Sequence, residues 1–321
     1  MTEARTWNAS AVLILAVVRL IAASSCVGSR ASPPPHGPVA LRIGFGLTPG
    51  VSGDSGIRQA ARSITLEVLV TVQRDGRPSG GLAESWSASD DGLTWLVRLR
   101  PAVTFHSGRP ANAQAVRQVL LDRLPAALGP AANDLADIRA VSDRDLELVL
   151  RRRSTFVLER LADVAIEEPD VPLSGTGPFK IVNIGQEVEM VANETYHRGR
   201  PALDRVVIEP YASVRSAWAD MLRGRVDMLY DVGADAIDSL ESSSQVNVFT
   251  FQRGYAYLLL LNLRKPQLRD PAFRRELNAA VDRDALVAEG LRGHGSPAEG
   301  AVWPKHWAYT DDLPRFRYQP R

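Results

Sequence analysis

Residues 82–116 read LAESWSASDDGLTWLVRLRPAVTFHSGRPANAQAV and hold two unlike periodicities side by side. Trp95, Val97 and Leu99 alternate with polar positions, the period-two pattern of a half-buried strand. Asp90-Asp91-Gly92 ahead of them supplies a turn, since glycine takes positive φ without steric cost. The stretch therefore predicts a hairpin with Trp86 and Trp95 on its core side. Beyond it, Asn112 is placed to cap a helix through about Leu124, with Val116, Leu120 and Leu124 on one face. Strand and helix so closely joined mark a mixed α/β chain.

Upstream, Ala40 to Phe45 reads as a strand that runs into a glycine-rich loop, Gly46 to Gly56. Ile64, Val68, Leu69 and Val72 have helical spacing. Downstream, two short strands flank Ser142-Asp143-Arg144-Asp145, and a short helix starts after Ser154. From Gly175 the chain turns β-rich, with strands expected at Phe179–Ile184, Glu187–Ala192 and Arg205–Tyr211. Ser213 caps a helix from Val214 to Arg223, closed by Gly224. A short buried strand is expected at Val226–Leu229, and further strands at Gln245–Phe251 and Ala256–Leu263. The last is an almost unbroken apolar run, the pattern of a central strand. Asp270 with Pro271 opens one more helix, and Asp282 another through Leu291.

Composition narrows the function classes. The chain has 321 residues, 45% hydrophobic and 23% charged, with 38 basic against 37 acidic side chains. That balance gives no electrostatic case for nucleic acid as the main partner. A single cysteine rules out an intrachain disulfide and any multi-cysteine metal cage, and five scattered histidines show no ligand spacing. No metal site and no cofactor are expected.

The N-terminus reads as an address. Ala11 to Val18 (AVLILAVV) is too short to span a bilayer as one helix, which needs about 20 residues. It fits the apolar core of a secretion signal with Arg5 upstream. Ala23-Ser24-Ser25 before the lone Cys26 resembles a bacterial lipobox, in which the cysteine sulfur carries the lipid. The alternative is plain cleavage after Ser24 or Ser25. VGSRASPPPHGP then reads as a semi-rigid tether.

Motifs that suggest catalysis fail on their surroundings. Gly44-Phe45-Gly46 with Gly50 has the look of a dinucleotide fingerprint, but VSGDSG after it cannot start the helix that such a site needs, so the glycines are read as a flexible cleft-side loop. Gly53-Asp54-Ser55-Gly56 matches the nucleophile region of trypsin-like proteases. Only His36 lies upstream, in the tether, so the tetrapeptide is read as a turn. Asp90-Asp91 and Glu167-Glu168 are read as solvated turn residues, and His106 as a packed or hydrogen-bonded structural histidine. The chain is read as a non-enzyme, with a secreted serine hydrolase using Ser55 as the distant alternative.

Taken together, residues 82–116, GTGPFKIV (175–182), NETYHRGRPALDRVVI (193–208), GRVDML (224–229) and YLLLLNLRKPQLRDPAFRRELNAAVDRDALV (257–287) resemble the family 5 extracellular solute-binding proteins of bacterial ABC transporters. The resemblance implies an α/β, periplasmic-binding-protein-like (type II) two-lobed clamp with a mixed sheet. It implies this organisation: signal with possible lipobox, 1–26; tether, 27–39; first lobe, 40–81 and 171–263; a hairpin-and-helix insert, 82–170; and the start of a second lobe that is largely missing, 264–321. Implied too are capture of a peptide or similar small polar solute outside the membrane and delivery to permease subunits with a separate ATPase. A non-transporting remnant or envelope scaffold is the competing reading.

Candidate ligand contacts follow. Thr48, Gly50 and Ser52 lie after the first strand, at the strand end where open α/β sheets hold ligands. The family resemblance adds Tyr255, Tyr257 and Asn262 on the crossing segment, as cleft-floor groups. The competing reading packs the tyrosines in the first lobe and leaves Asn262 to tie down the crossing strand. Cys26 is the lipidation candidate.

Overall fold

The computed structural model describes residues 39–46, 53–154, 156–230, 240–249, 257–298, 305–310 and 317–319, with the single positions 232, 237, 300, 302 and 312. The hairpin expected from residues 82–116 is present. β5 (Ala83–Ala88) and β6 (Thr94–Leu99) pair antiparallel, and Gly92 at their turn takes φ +67°. β7 (Leu135–Ala140) and β8 (Asp145–Leu150) complete a four-stranded antiparallel sheet in the order β5-β6-β8-β7. Against it lies α2 (Ala113–Leu128), opened by the Asn112 side chain, which accepts the Ala115 N–H at 3.0 Å. Val116, Val119, Leu120 and Leu124 of α2 are buried with Val97, Ile138, Leu146 and Leu148 of the sheet. Trp86 and Trp95 pack at the edge of this core, as their alternation implies.

The second sheet is mixed, in the order β10-β11-β12-β1-β13. β1 (Ala40–Gly46) runs parallel to both β12 (Arg205–Tyr211) and β13 (Met228–Tyr230). β10 (Phe179–Ile184), β11 (Val188–Ala192) and β12 pair antiparallel. Its core packs beneath α1 (Gly53–Thr65), where Ile57 and Ala61 meet Met190, Val206 and Ile208. The other face carries α4 (Val214–Leu222), opened by a reciprocal Ser213–Ser216 capping box.

Several expectations are corrected. A helix does begin in the glycine-rich stretch: α1 opens at Gly53, so the turn read at 53–56 is its first turn. The helical spacing over 64–72 is overridden. After Thr65 the chain turns extended, with β2 (Glu67–Val68) on β9 (Ala165–Ile166) and β3 (Val70–Val72) on β4 (Pro78–Gly80). Leu69 and Val70, adjacent and both fully buried, are covered on both faces of the extended chain. The expected central strand at 256–263 is not formed among the described residues, since Tyr257 to Leu260 are 70–88% exposed. An apolar run becomes a central strand only with partners on both sides, and the described residues supply none. Residues 245–249 are likewise not strand.

Further helices are α3 (Phe156–Arg160), α5 (Pro271–Ala279) and α6 (Arg283–Ala285, continuing into a wider turn over Leu286–Gly290). Asp270 and Asp282 cap α5 and α6 as their positions predict. No helix among the described residues is long and apolar enough to cross a membrane.

Candidate functional site

The carboxyl ends of parallel strands are where open α/β sheets expose loops and backbone groups to a ligand. Here β1, β12 and β13 end together, in register, at Phe45, Gly46, Tyr211 and Tyr230. Phe45 and Tyr230 face each other across the β1–β13 pair, ring centroids 6.0 Å apart and planes 24° from parallel. Gly56 of α1 makes room for the pair, for a β-carbon there would lie 2.7 Å from Phe45 Cζ. Both rings are half-buried, and the Tyr230 hydroxyl has no hydrogen-bond partner among the described residues.

The opposite face of these strands is polar and closed. The Tyr211 hydroxyl lies 3.1 Å from Glu209 Oε2 and 3.3 Å from Asp220 Oδ2. Burial, then the hydrogen bond to Glu209, push the phenol up to about 12. Arg42 grips Asp227 through both guanidinium and backbone N–H, at 2.8–2.9 Å, and this holds the Asp227 carboxyl below its usual range. The glycines that resembled a nucleotide motif have a packing role on this face. Gly44 and Gly46 let α4 approach the sheet closely, Gly46 against Val214.

Of the residues singled out from sequence, Thr48, Gly50, Ser52, Tyr255 and Cys26 lie outside the described residues. Tyr257 is 79% exposed. Asn262 is exposed and accepts the Arg264 N–H at 3.0 Å, opening the turn into Pro266–Leu268. Sequence reasoning passed over Phe45, Tyr211 and Tyr230, although their places at the ends of expected strands were a usable signal.

The signature blocks converge instead on a buried polar knot. Glu67 of β2 takes hydrogen bonds from Thr176 Oγ1 at 2.9 Å and the Tyr196 hydroxyl at 3.1 Å, and faces His197 Nε2 at 2.9 Å. Burial, then the Glu67 charge, push the Tyr196 phenol up to about 12. Asn193, buried, donates to Gly177 O at 3.1 Å. His106 Nε2 lies 3.0 Å from the same carbonyl, while its Nδ1 accepts the Gly175 N–H at 3.3 Å. That pairing fixes a neutral imidazole, and burial, aided by Lys180, lowers its pKa. The knot joins β2 to the loops carrying His106, Thr176 and Asn193 to His197.

Glu167 and Glu168 are not solvated, contrary to the sequence reading. Their side chains are 7% and 1% exposed. Glu167 meets Arg123 at 2.6 Å and the Leu173 N–H, which together with Arg62 outweigh burial and hold its carboxyl below the usual range. Glu168 accepts from Ser107 at 2.9 Å, Ser174 at 2.6 Å and Arg109 at 3.1 Å. Among the described residues no group of three or more His, Cys, Asp or Glu could hold a metal ion.

The family model for bacterial extracellular solute-binding proteins, family 5 Middle, matches residues 77–321. The chain is 29% identical over 269 residues to the nickel-binding periplasmic protein of Escherichia coli K12, covering 76% of this chain and 51% of that one. It is 24% identical to the glutathione-binding protein GsiB of Shigella dysenteriae, covering 99% of this chain and 64% of that one. The chain thus spans about half to two thirds of these relatives' length. Among solved structures, Campylobacter jejuni NikZ in complex with Ni(L-His) gives a TM-score of 0.68 at 20% identity, over 87% of this chain and 60% of that one. The oligopeptide-binding protein AppA of Bacillus subtilis, in complex with a nonapeptide, gives 0.62 at 23%, over 88% and 62%. These likenesses carry the fold, a type II periplasmic-binding-protein architecture with a mixed sheet. By its matched residues and its fold, the chain belongs to the bacterial extracellular solute-binding proteins, family 5.

Proposed function

We propose that this chain is the solute-binding component of an ABC transporter. It captures a peptide or similar polar solute outside the membrane and hands it to permease subunits served by a separate ATPase. The observation that carries the reading is the shared carboxyl edge of β1, β12 and β13 in a chain of this family. Relatives of the same fold are described with a nonapeptide and with Ni(L-His) bound. In this reading the solute contacts the loop carrying Thr48, Gly50 and Ser52, and the segment carrying Tyr255, Tyr257 and Asn262. Phe45 and Tyr230 form the apolar wall beside them. The chain is exported, and Cys26 anchors it at the outer face of the cytoplasmic membrane. Residues 40–81 and 171–263 make the first lobe, 82–170 its insert, and 264–321 the opening of the second.

The test is titration calorimetry of the exported chain with trialanine, glutathione and nickel–histidine. Heat with one of them, reduced by Tyr230→Ala, supports the reading. No heat with any of the three, or labelling of Ser55 by a serine-reactive phosphonate, would end it.

A further inference from the structure

The turn between β3 and β4 has a ligand from its own chain. Its backbone closes through Gln73 N–H to Arg77 O and Gly76 N–H to Gln73 O, both 2.9 Å. The Asp75 carboxylate is engaged within the turn by the Arg77 N–H at 3.0 Å and the Arg77 guanidinium at 2.6 Å. The Asp75 backbone carbonyl is left to accept the Trp307 N–H at 2.8 Å. Beside it the His306 imidazole lies over Gly76, which is buried and takes φ +83°. Any β-carbon at 76 would enter the ring. Glycine is thus required twice, once for the backbone angle and once for the contact.

The docking segment is itself shaped. His306 and Trp307 stack at 5.7 Å, the Ala308 N–H bonds His306 Nδ1 at 3.1 Å, and the Tyr309 N–H bonds His306 O at 2.9 Å. Among the described residues, the stretch that leads to it buries few side chains. Neither α5 nor α6 buries a residue, and Tyr257 to Leu260 are exposed and outside any helix or strand. A stretch without a core is held by whatever docks it.

We propose that the β3–β4 turn is a socket and the His306–Trp307 segment a detachable strap. Docked, the strap fixes the stretch from 264 onward against the sheeted part of the chain. Undocked, it leaves that stretch to turn on residues 257–260. The contact lies within the chain and involves none of the residues assigned to the solute, so this inference stands or falls apart from the transport reading.

Hydrogen exchange on the full chain reads the contact at the Trp307 amide. In the wild type that amide should be protected, yet exchange by local opening that low urea barely changes. The Leu148 amide, in the fully buried middle of the four-stranded sheet, should follow global unfolding. Gly76→Asn keeps a left-handed backbone, which asparagine tolerates, while placing a β-carbon in the ring. It should speed Trp307 exchange about tenfold, the equivalent of one lost hydrogen bond, with Leu148 unchanged. His306→Ala, which leaves the turn alone, should do the same. Equal Trp307 protection in the wild type and both variants would overturn the socket. A Trp307 rate with the urea dependence of Leu148 would overturn the strap.

Discussion

Gly46 and Val214 meet at the closest approach of helix α4 to the mixed sheet: a β-carbon at 46 would lie 2.6 Å from Val214 Cγ2 and 2.7 Å from its backbone nitrogen. Backbone cannot step aside as a side chain can. Gly46→Ala should therefore destabilise the chain by about 2 kcal/mol, within the range for overpacking. At Gly44 the nearest atoms are side-chain carbons at 3.1–3.2 Å, which can shift a little. Gly44→Ala should cost under about 1 kcal/mol. Urea midpoints of the two variants check the order, and an equal loss at both positions would refute it.

The buried carboxylate of Glu167 depends on Arg123. Removing that partner in Arg123→Ala leaves the charge with the Leu173 N–H and the more distant Arg62, at 3.7 Å. Breaking a fully buried pair costs about 3–5 kcal/mol, but Arg123 is 37% exposed and water screens the loss. About 2 kcal/mol is expected. The double variant Arg123→Ala, Glu167→Gln should recover part of it, which chemical denaturation of the three proteins would measure.

His106 predicts an acid sensitivity near neutral pH. Its folded pKa lies below the usual value of about 6.5 because the ring is buried and the Lys180 charge lies near it. Below that value the unfolded chain takes up a proton that the folded chain resists, so stability falls as pH falls. Above it the contribution is complete. The paired carboxylates Glu167 and Asp227 have lowered values and lose their contributions only at more acid pH. Denaturation midpoints between pH 7.5 and pH 5.5, for instance, should drop in the wild type and flatten in His106→Gln. An unchanged slope in the variant would count against the assignment.

Trp95 is half-buried beside the insert core, and its Nε1 donates to Ser154 O at 3.2 Å. Trp95→Ala should cost about 3 kcal/mol, the low end for a large aromatic truncation. A variant that melts with its parent would place the ring outside the cooperative core.

The lipid anchor proposed at Cys26 has its own test. Cys26→Ala should move the protein from membranes to the soluble fraction, because two acyl chains contribute about 0.8 kcal/mol for each buried CH₂. Retention of the variant on membranes would remove the anchor.

What could be read from sequence was what the chain decides locally. The hairpin at Asp91-Gly92 and the caps at Asn112, Ser213, Asp270 and Asp282 depend on neighbours a few residues away, and all are present. Helix α1 was missed because glycine and serine at 53–56 are poor helix formers. The apolar face of Ile57, Ala61 and Ile64 against Met190 and Ile208 overrides them. Glu167-Glu168 misled because the arginines that neutralise them come from other elements. Residues 257–263 misled in the opposite way, since their apolar character says nothing about who covers them. The candidate cleft was legible only as a strand end; which aromatic groups close it needed the register of β1 against β12 and β13.

The pairing of β1 has a consequence for the order in which the chain acquires its shape. Ala40 to Gly46 find their neighbours at Arg205 to Tyr211 and, on the other side, at Met228 to Tyr230. As the chain leaves the ribosome, this strand must wait until those distant segments have been made. The four-stranded sheet is different, for among the described residues β5, β6, β7 and β8 lie close in sequence and pair only with one another. Local pairings close small loops and form fast, while non-local ones form late. The four-stranded sheet is therefore finished first, and the parallel pairings of β1 close later.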